Sequence, residues 1–235
     1  MSDNEHTTGQ DLHSAQIKTY GLNPPDQTWI PEGEDAQEIL KRRCQQLLEG
    51  QYPAINKYLS PQLLKKRIIY IDTPIEDEVA NSIITQLLYL QSEDATRDIH
   101  LYLNSPGGNI YAGLAIYDTI QALLPAVATY CLGQANGFAT LLLAAGKKGK
   151  RYALPTSTIG LTQVLGGGET PADIEITARQ ILRFRRLLVE LFVKETGQAE
   201  TTIREDMDRG IILSAREAIA YGFIDRVSDA LVKGF

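Results

Sequence analysis

The imidazoles, the commonest general bases, are few, and they are placed away from the segments that could use them. The 235-residue chain holds three histidines, His6, His13 and His100. The first two fall in a polar N-terminal stretch. The third lies inside a strand-like run, where an ordinary surface or half-buried role is expected. From residue 101 to residue 235 there is no imidazole. A serine-type hydrolase needs one to take the nucleophile's proton and pass it to the leaving group. Cys44 sits in a polar helix-like segment and Cys131 in an apolar strand-like run. No Cys/His cluster has metal-ligand spacing, so neither a metal nor a cofactor is expected.

Two glycine-rich junctions could still bring backbone N–H groups close to a ligand or an oxyanion. The first is Asn104-Ser105-Pro106-Gly107-Gly108, directly after a strand candidate. A tight turn is its simpler reading. The second is Gly133-Gln134-Ala135-Asn136-Gly137-Phe138, between a strand and a helix. Hydrolases often hold a nucleophile at such a turn, but this one offers no Ser, Cys or Thr before Thr140.

The elements that would position these junctions alternate. The runs 67–72, 99–104 and 126–132 read as strands. The segments 76–92, 109–124 and 136–147 read as helices, with Val79, Ile83, Leu87 and Leu90 at helical spacing in the first. Strands alternating with helices of this length predict βαβ units and a largely parallel α/β sheet with right-handed crossovers. A long helix is predicted over 171–195, with Thr170 as N-cap, Pro171 in the first turn and Gly197 just past the end. Its apolar residues Ile174, Ile181, Leu188 and Leu191 share a stripe. A short helix over 214–222 and a last strand over 223–227 follow. Residues 1–33 are polar and proline-containing and are expected to be disordered or extended. A short amphipathic helix is predicted near 36–49, carrying Ile39, Leu40, Leu47 and Leu48.

Composition narrows the class. With 43% hydrophobic and 22% charged residues and a net charge of −6, the chain reads as a soluble globular protein. Nucleic-acid binding, which favours a basic face, is not expected. Nor is a membrane span, which needs about 18 apolar residues. The N-terminus has neither a basic nor an apolar signal region, and its acidic residues argue against a transit peptide. Two thiols fit a reducing compartment. A cytoplasmic location is expected, with a plastid as the alternative if the N-terminal extension is a processed remnant.

Several runs, in order and spacing, resemble the proteolytic subunits of the ATP-dependent Clp protease, the ClpP family. They are LLKKRIIYIDTPIEDEVANSIITQLLYL (63–90), LNSPGG (103–108), GQA (133–135), AAGKKGKRYALP (144–155), DIEITARQIL (173–182), DMDR (206–209) and LSAREAIAYGFIDRV (213–227). The resemblance spans roughly residues 61–230. It implies a crotonase-like α/β fold of stacked βαβ units and a protruding handle over about 160–197, formed around Gly166–Gly168 and the long helix. It also implies two stacked rings of seven subunits. Residues 1–60 would be an N-terminal extension and 231–235 a short tail. The positions matching the family's serine, histidine and aspartate hold Gly137, Thr162 and Gly210. The backbone N–H groups of Gly108 and Phe138 match its oxyanion hole, and Asp173 and Arg209 its ring–ring pair. At the family's docking surface for ATPase loops Tyr102 is aromatic, but Ala122 replaces a larger ring.

The expectation is a non-catalytic, ClpR-type subunit of the barrel. It would sit in a hetero-oligomeric double ring with subunits whose triad is intact, beside an AAA+ Clp ATPase, and meet protein substrates only indirectly. The alternative is a weak or unconventional serine-type peptidase using Thr140, Thr162 or Ser157, with Lys147, Lys148 or Lys150 as base. An acyl-CoA-handling enzyme on the related crotonase fold is a third reading.

Overall fold

The computed structural model describes residues 61–162 and 171–229, with the side chains of 61 and 171–178 set aside. The helix expected near 36–49, the Thr170 cap, the Gly166–Gly168 segment, His6, His13, Cys44, the tail 231–235 and the side chains of Asp173 and Ile174 lie outside what is described.

The chain runs α1 (Pro61–Lys65), β1 (Ile68–Ile71), α2 (Asp77–Glu93), β2 (Ile99–Ser105), α3 (Ile110–Ala122), β3 (Val127–Asn136) and α4 (Phe138–Ala144). It continues through β4 (Arg151–Ala153), β5 (Thr158–Leu161), α5 (Pro171–Thr196), α6 (Glu200–Arg209), β6 (Ile211–Ser214), α7 (Ala215–Tyr221) and β7 (Arg226–Val227). Strands β1-β2-β3-β4-β7 pair side by side, all parallel. The sheet forks at β3. The first half of β3 pairs with β4, while its end, Gln134–Asn136, pairs with β5. Strand β5 in turn pairs antiparallel with β6, the one departure from the parallel expectation.

Alternation along the strands sorts the side chains onto two faces. Ile69, Ile71, Leu101, Leu103, Val127, Cys131 and Ala153 point into the main core, which α2 to α7 cover with residues such as Leu87, Ile116, Leu142, Phe192 and Ala218. Ile68, Tyr102, Ala128 and Tyr130 form a second cluster on the other face. There Tyr70, Tyr102, Tyr130 and Tyr152 fall in register across four strands. The rings of Tyr102, Tyr130 and Tyr152 stack at 4.6 and 4.9 Å, and Arg226 lies 5.4 Å from the Tyr152 ring centre.

Local chemistry sets the helix ends. Asn109 caps α3 by accepting from the backbone of Tyr111 and Ala112. Ser214 and Glu217 form a reciprocal capping box on α7. Elsewhere buried cations tie elements together. Arg67, 4% exposed, donates to the carbonyls of Leu90, Asp94, Arg97 and Asp98 and so fixes the exit of α2. Arg151, also 4% exposed, pairs with Asp225 at 2.7 Å and donates to the Ala144, Glu195 and Gly222 carbonyls. Burial alone would raise the Asp225 carboxyl, but the Arg151 bonds outweigh it and hold that carboxyl below its ordinary value.

One expectation needs correction. The final strand is confined to Arg226–Val227; Phe223 and Ile224 precede it as buried core residues. In the stripe of α5, Leu188 is buried within the subunit's own core, whereas Leu182, outside that stripe, is 57% exposed.

Candidate functional site

The ends of β2, β3 and β5 meet the start of α4, and both glycine-rich junctions arrive there. Ser105 lies opposite Ala135 in the β2–β3 register. The Ser105 hydroxyl donates to the Thr73 carbonyl and accepts from the Gly107 N–H, which shapes the first junction. That junction must be glycine. Gly107 has φ 99°, and a Cβ there would stand 2.7 Å from the Asn136 carbonyl oxygen; at Gly108, with φ 155°, it would stand 2.3 Å from the Ile75 oxygen. The same Gly107 Cβ position is 3.6 Å from the Phe138 nitrogen, so the two junctions touch. Among the described residues, neither the Gly108 nor the Phe138 N–H finds a hydrogen-bond acceptor.

Gly137 is the pivot from β3 into α4, with φ 53° and ψ −115°. This is a sharp strand-to-helix turn in a backbone region that L side chains rarely occupy. Its N–H donates to the Gly160 carbonyl on β5 at 3.1 Å. A Cβ on Gly137 would meet one neighbour, Thr162 Oγ1, at 3.1 Å. The antiparallel register pairs Leu161 with Ile211, so its next step sets Thr162 against Gly210. Gly210 ends α6 in the left-handed conformation, with φ 69° and ψ 63°. Thr162 thus faces Gly137, and the β5–β6 register leads from it toward Gly210, all three far apart in sequence. No imidazole, thiol or carboxylate stands at any of the three positions.

The other hydroxyls named from the sequence have structural duties. Thr140 is fully buried, its hydroxyl placed between the Ala135 and Gly160 carbonyls at 2.7 and 2.6 Å. Ser157 is 1% exposed; its hydroxyl donates to the Cys131 carbonyl and accepts from the Gly133 N–H. Only Thr162 is exposed. The lysines sit at the wrong end of the sheet. Lys147 and Lys150 pair by backbone with Val127 and Thr129, at the start of β3. The rise of a strand puts that start about 30 Å from Asn136. Lys148 is engaged with the Glu195 carbonyl and Lys150 with Asp98.

His100 is equally remote. It pairs with Ala128 near the beginning of β2, and its Nδ1 lies 3.1 Å from the Tyr130 hydroxyl. Burial holds its pKa below the usual histidine value. Cys131 is fully buried, and burial pushes its thiol up to about 12, so it stays protonated at neutral pH.

The sequence reading passed over the polar contacts of Asn136. Its Nδ2 donates to Gln134 Oε1 at 2.9 Å, and its Oδ1 lies where a Cβ on Gly160 would be 1.9 Å away. The only sequence signal was the glycine in the strand-like run Thr158-Ile159-Gly160-Leu161, which allows so close an approach. Asp173 lies in the first turn of α5, and Arg209 closes α6 with Glu205 3.9 Å away. Among the described residues no group of three or more His, Cys, Asp or Glu could hold a metal ion. No described helix is long and apolar enough to cross a membrane.

Comparison with known proteins identifies the family. The Clp protease family model matches residues 54–230. Relatives from three strains of Dehalococcoides mccartyi, BAV1, CBDB1 and 195, are each named ATP-dependent Clp protease proteolytic subunit. Each is 52% identical over 166 residues, covering 70% of this chain and 83% of the relative. With its mixed α/β fold of the ClpP type, this chain belongs to the Clp protease family.

Proposed function

We propose that this chain is a non-catalytic, ClpR-type subunit of a Clp protease core. The observation that carries the reading is the side chains at the β3–α4 turn. Gly137 faces Thr162 there, and the β5–β6 register leads from Thr162 toward Gly210; none of the three supplies a base or an orienting carboxylate, and the one hydroxyl, on Thr162, stands where the family has its histidine. Losing the base alone removes the mechanism, because nothing then accepts the hydroxyl proton. The N–H groups of Gly108 and Phe138, which find no acceptor among the described residues, fit the role of a retained oxyanion hole.

In this reading the chain completes a hetero-oligomeric double ring with triad-bearing subunits, and an AAA+ Clp ATPase docks on the assembly. Asp173 and Arg209 belong to the ring–ring contact. Tyr102 itself is 3% exposed, so any aromatic docking surface falls to its half-buried neighbours Tyr70 and Tyr152. Residues 1–60 form an extension outside the α/β unit, and deleting 1–33 leaves folding intact. The relatives compared are bacterial, which favours the cytoplasm and gives the plastid alternative no support.

The name of those relatives favours a second reading, a subunit with weak peptidase activity of its own. Thr162 is the exposed hydroxyl available to it, but a hydroxyl without a neighbouring base is a poor nucleophile. A fluorophosphonate probe separates the two. The purified chain should stay unlabelled while a triad-bearing Clp subunit labels; rapid labelling of this chain would sink the non-catalytic reading. Co-purification from the native cell should bring down subunits with an intact triad.

A further inference from the structure

The β3–α4 turn carries a reactive dipeptide. Asn136 is followed by Gly137, and a glycine after asparagine leaves its nitrogen least hindered for attack on the side-chain amide, having no Cβ of its own. The chemistry is intramolecular. The Gly137 nitrogen loses its proton and bonds to Asn136 Cγ, the Cγ–Nδ2 bond breaks, and ammonia leaves, closing a five-membered succinimide. Water then adds to either ring carbonyl and opens it to aspartate or isoaspartate. One water is consumed and one ammonia released, with no redox change.

Three contacts hold the reacting atoms away from that path. The attacking nitrogen keeps its proton on the Gly160 carbonyl at 3.1 Å. The leaving nitrogen, Nδ2, donates to Gln134 Oε1 at 2.9 Å. Oδ1 is seated against Gly160, in space that any Cβ there would take. Asn136 is also paired with Gly160 in the β3–β5 ladder, which resists rotation of its backbone. The side chain is only half-buried, so water has access once the turn loosens.

We infer that Asn136–Gly137 is a self-modification site, restrained by the folded turn and released by local opening, at which Asn136 becomes aspartate or isoaspartate. The product places a carboxylate, or an extra backbone methylene, at the junction that carries the Phe138 N–H. The inference is independent of whether the chain cleaves peptides.

The test compares the folded full-length chain with a synthetic peptide of residues 130–142, both incubated in mildly alkaline buffer. Peptide mapping with isoaspartate detection reads the conversion of Asn136. The peptide should convert at least about tenfold faster, the factor that about 1.4 kcal/mol of retained contacts gives. Gly160→Ala, which must displace the Asn136 carboxamide, should bring the folded rate toward that of the peptide. Gln134→Ala removes one acceptor at an exposed position and should raise the rate several-fold, which keeps the test decisive if Gly160→Ala does not fold. Equal rates in peptide and folded chain, no conversion in the peptide, or no response to Gln134→Ala would overturn the inference.

Discussion

A Cβ placed on Gly137 would stand 3.1 Å from the hydroxyl of Thr162 and, among the described residues beyond its chain neighbours, would meet no other atom within 4 Å. The strand-to-helix turn therefore has room for a serine, and the residue facing it stands within hydrogen-bond reach of that position. What the spot lacks is chemistry. Gly137→Ser alone should give no labelling by a fluorophosphonate probe, because threonine cannot accept the proton. The triple variant Gly137→Ser, Thr162→His, Gly210→Asp should label. Aspartate tolerates the left-handed conformation of Gly210 better than most residues. Labelling of the single variant would contradict this account.

Gly137→Ser should also have a thermodynamic signature. Its φ of 53° with ψ of −115° imposes about 1–3 kcal/mol of strain on a residue bearing a side chain. Chemical denaturation should show that loss with an unchanged m-value; an unchanged midpoint would mean that the turn relaxes.

Gly113 on α3 and Phe138 at the start of α4 are fitted to each other. A Cβ on Gly113 would lie 2.3 Å from Phe138 Cδ1. Gly113→Ala should destabilise the chain by about 1–3 kcal/mol through overpacking. Paired with Phe138→Leu, it should cost less than the two single changes together, and strict additivity in the double-mutant cycle would refute the contact.

Removing the Asp225 carboxylate leaves a buried guanidinium with carbonyl partners and no counter-charge. Asp225→Ala should cost about 3 kcal/mol or more, measured by urea unfolding. The Asp225 carboxyl is held below its unfolded value, so the stability it contributes is present above the unfolded pKa. It is lost as the pH falls through the folded one.

His100 adds to the loss of stability on acidification. Its folded pKa lies below the unfolded value of about 6.5, so the unfolded chain binds its proton first. Stability from this residue is complete above about pH 6.5 and falls as the pH drops toward the folded pKa. A His100→Gln variant should show a flatter stability profile between neutral pH and pH 5; an identical profile would exclude the residue.

How far the sequence reaches is clearest at particular elements. The longer elements α2, β2, α3, β3 and α5 were legible, because apolar periodicity or an unbroken apolar run holds over enough residues to fix the element and its covered face; the four-residue β1 was legible as a compact apolar run. Strands β4, β5 and β6, three or four residues each, were not; so short a run fixes no period, and neighbouring strands alone make it a strand. The ten-residue α6 also escaped, since only Ile203 and Met207 are buried on it. Composition alone settled that residues 101–235 supply no imidazole base. Only the tertiary structure could set Thr162 against Gly137 and, one step past the last β5–β6 pair, toward Gly210, because β5 and β6, which end at those residues, pair across about 50 residues of chain. The same holds for Leu188. Its place on an apolar stripe followed from helical spacing, but whether that stripe faces the subunit's own core or a neighbour depends on how α5 docks, a long-range packing choice that local periodicity does not encode.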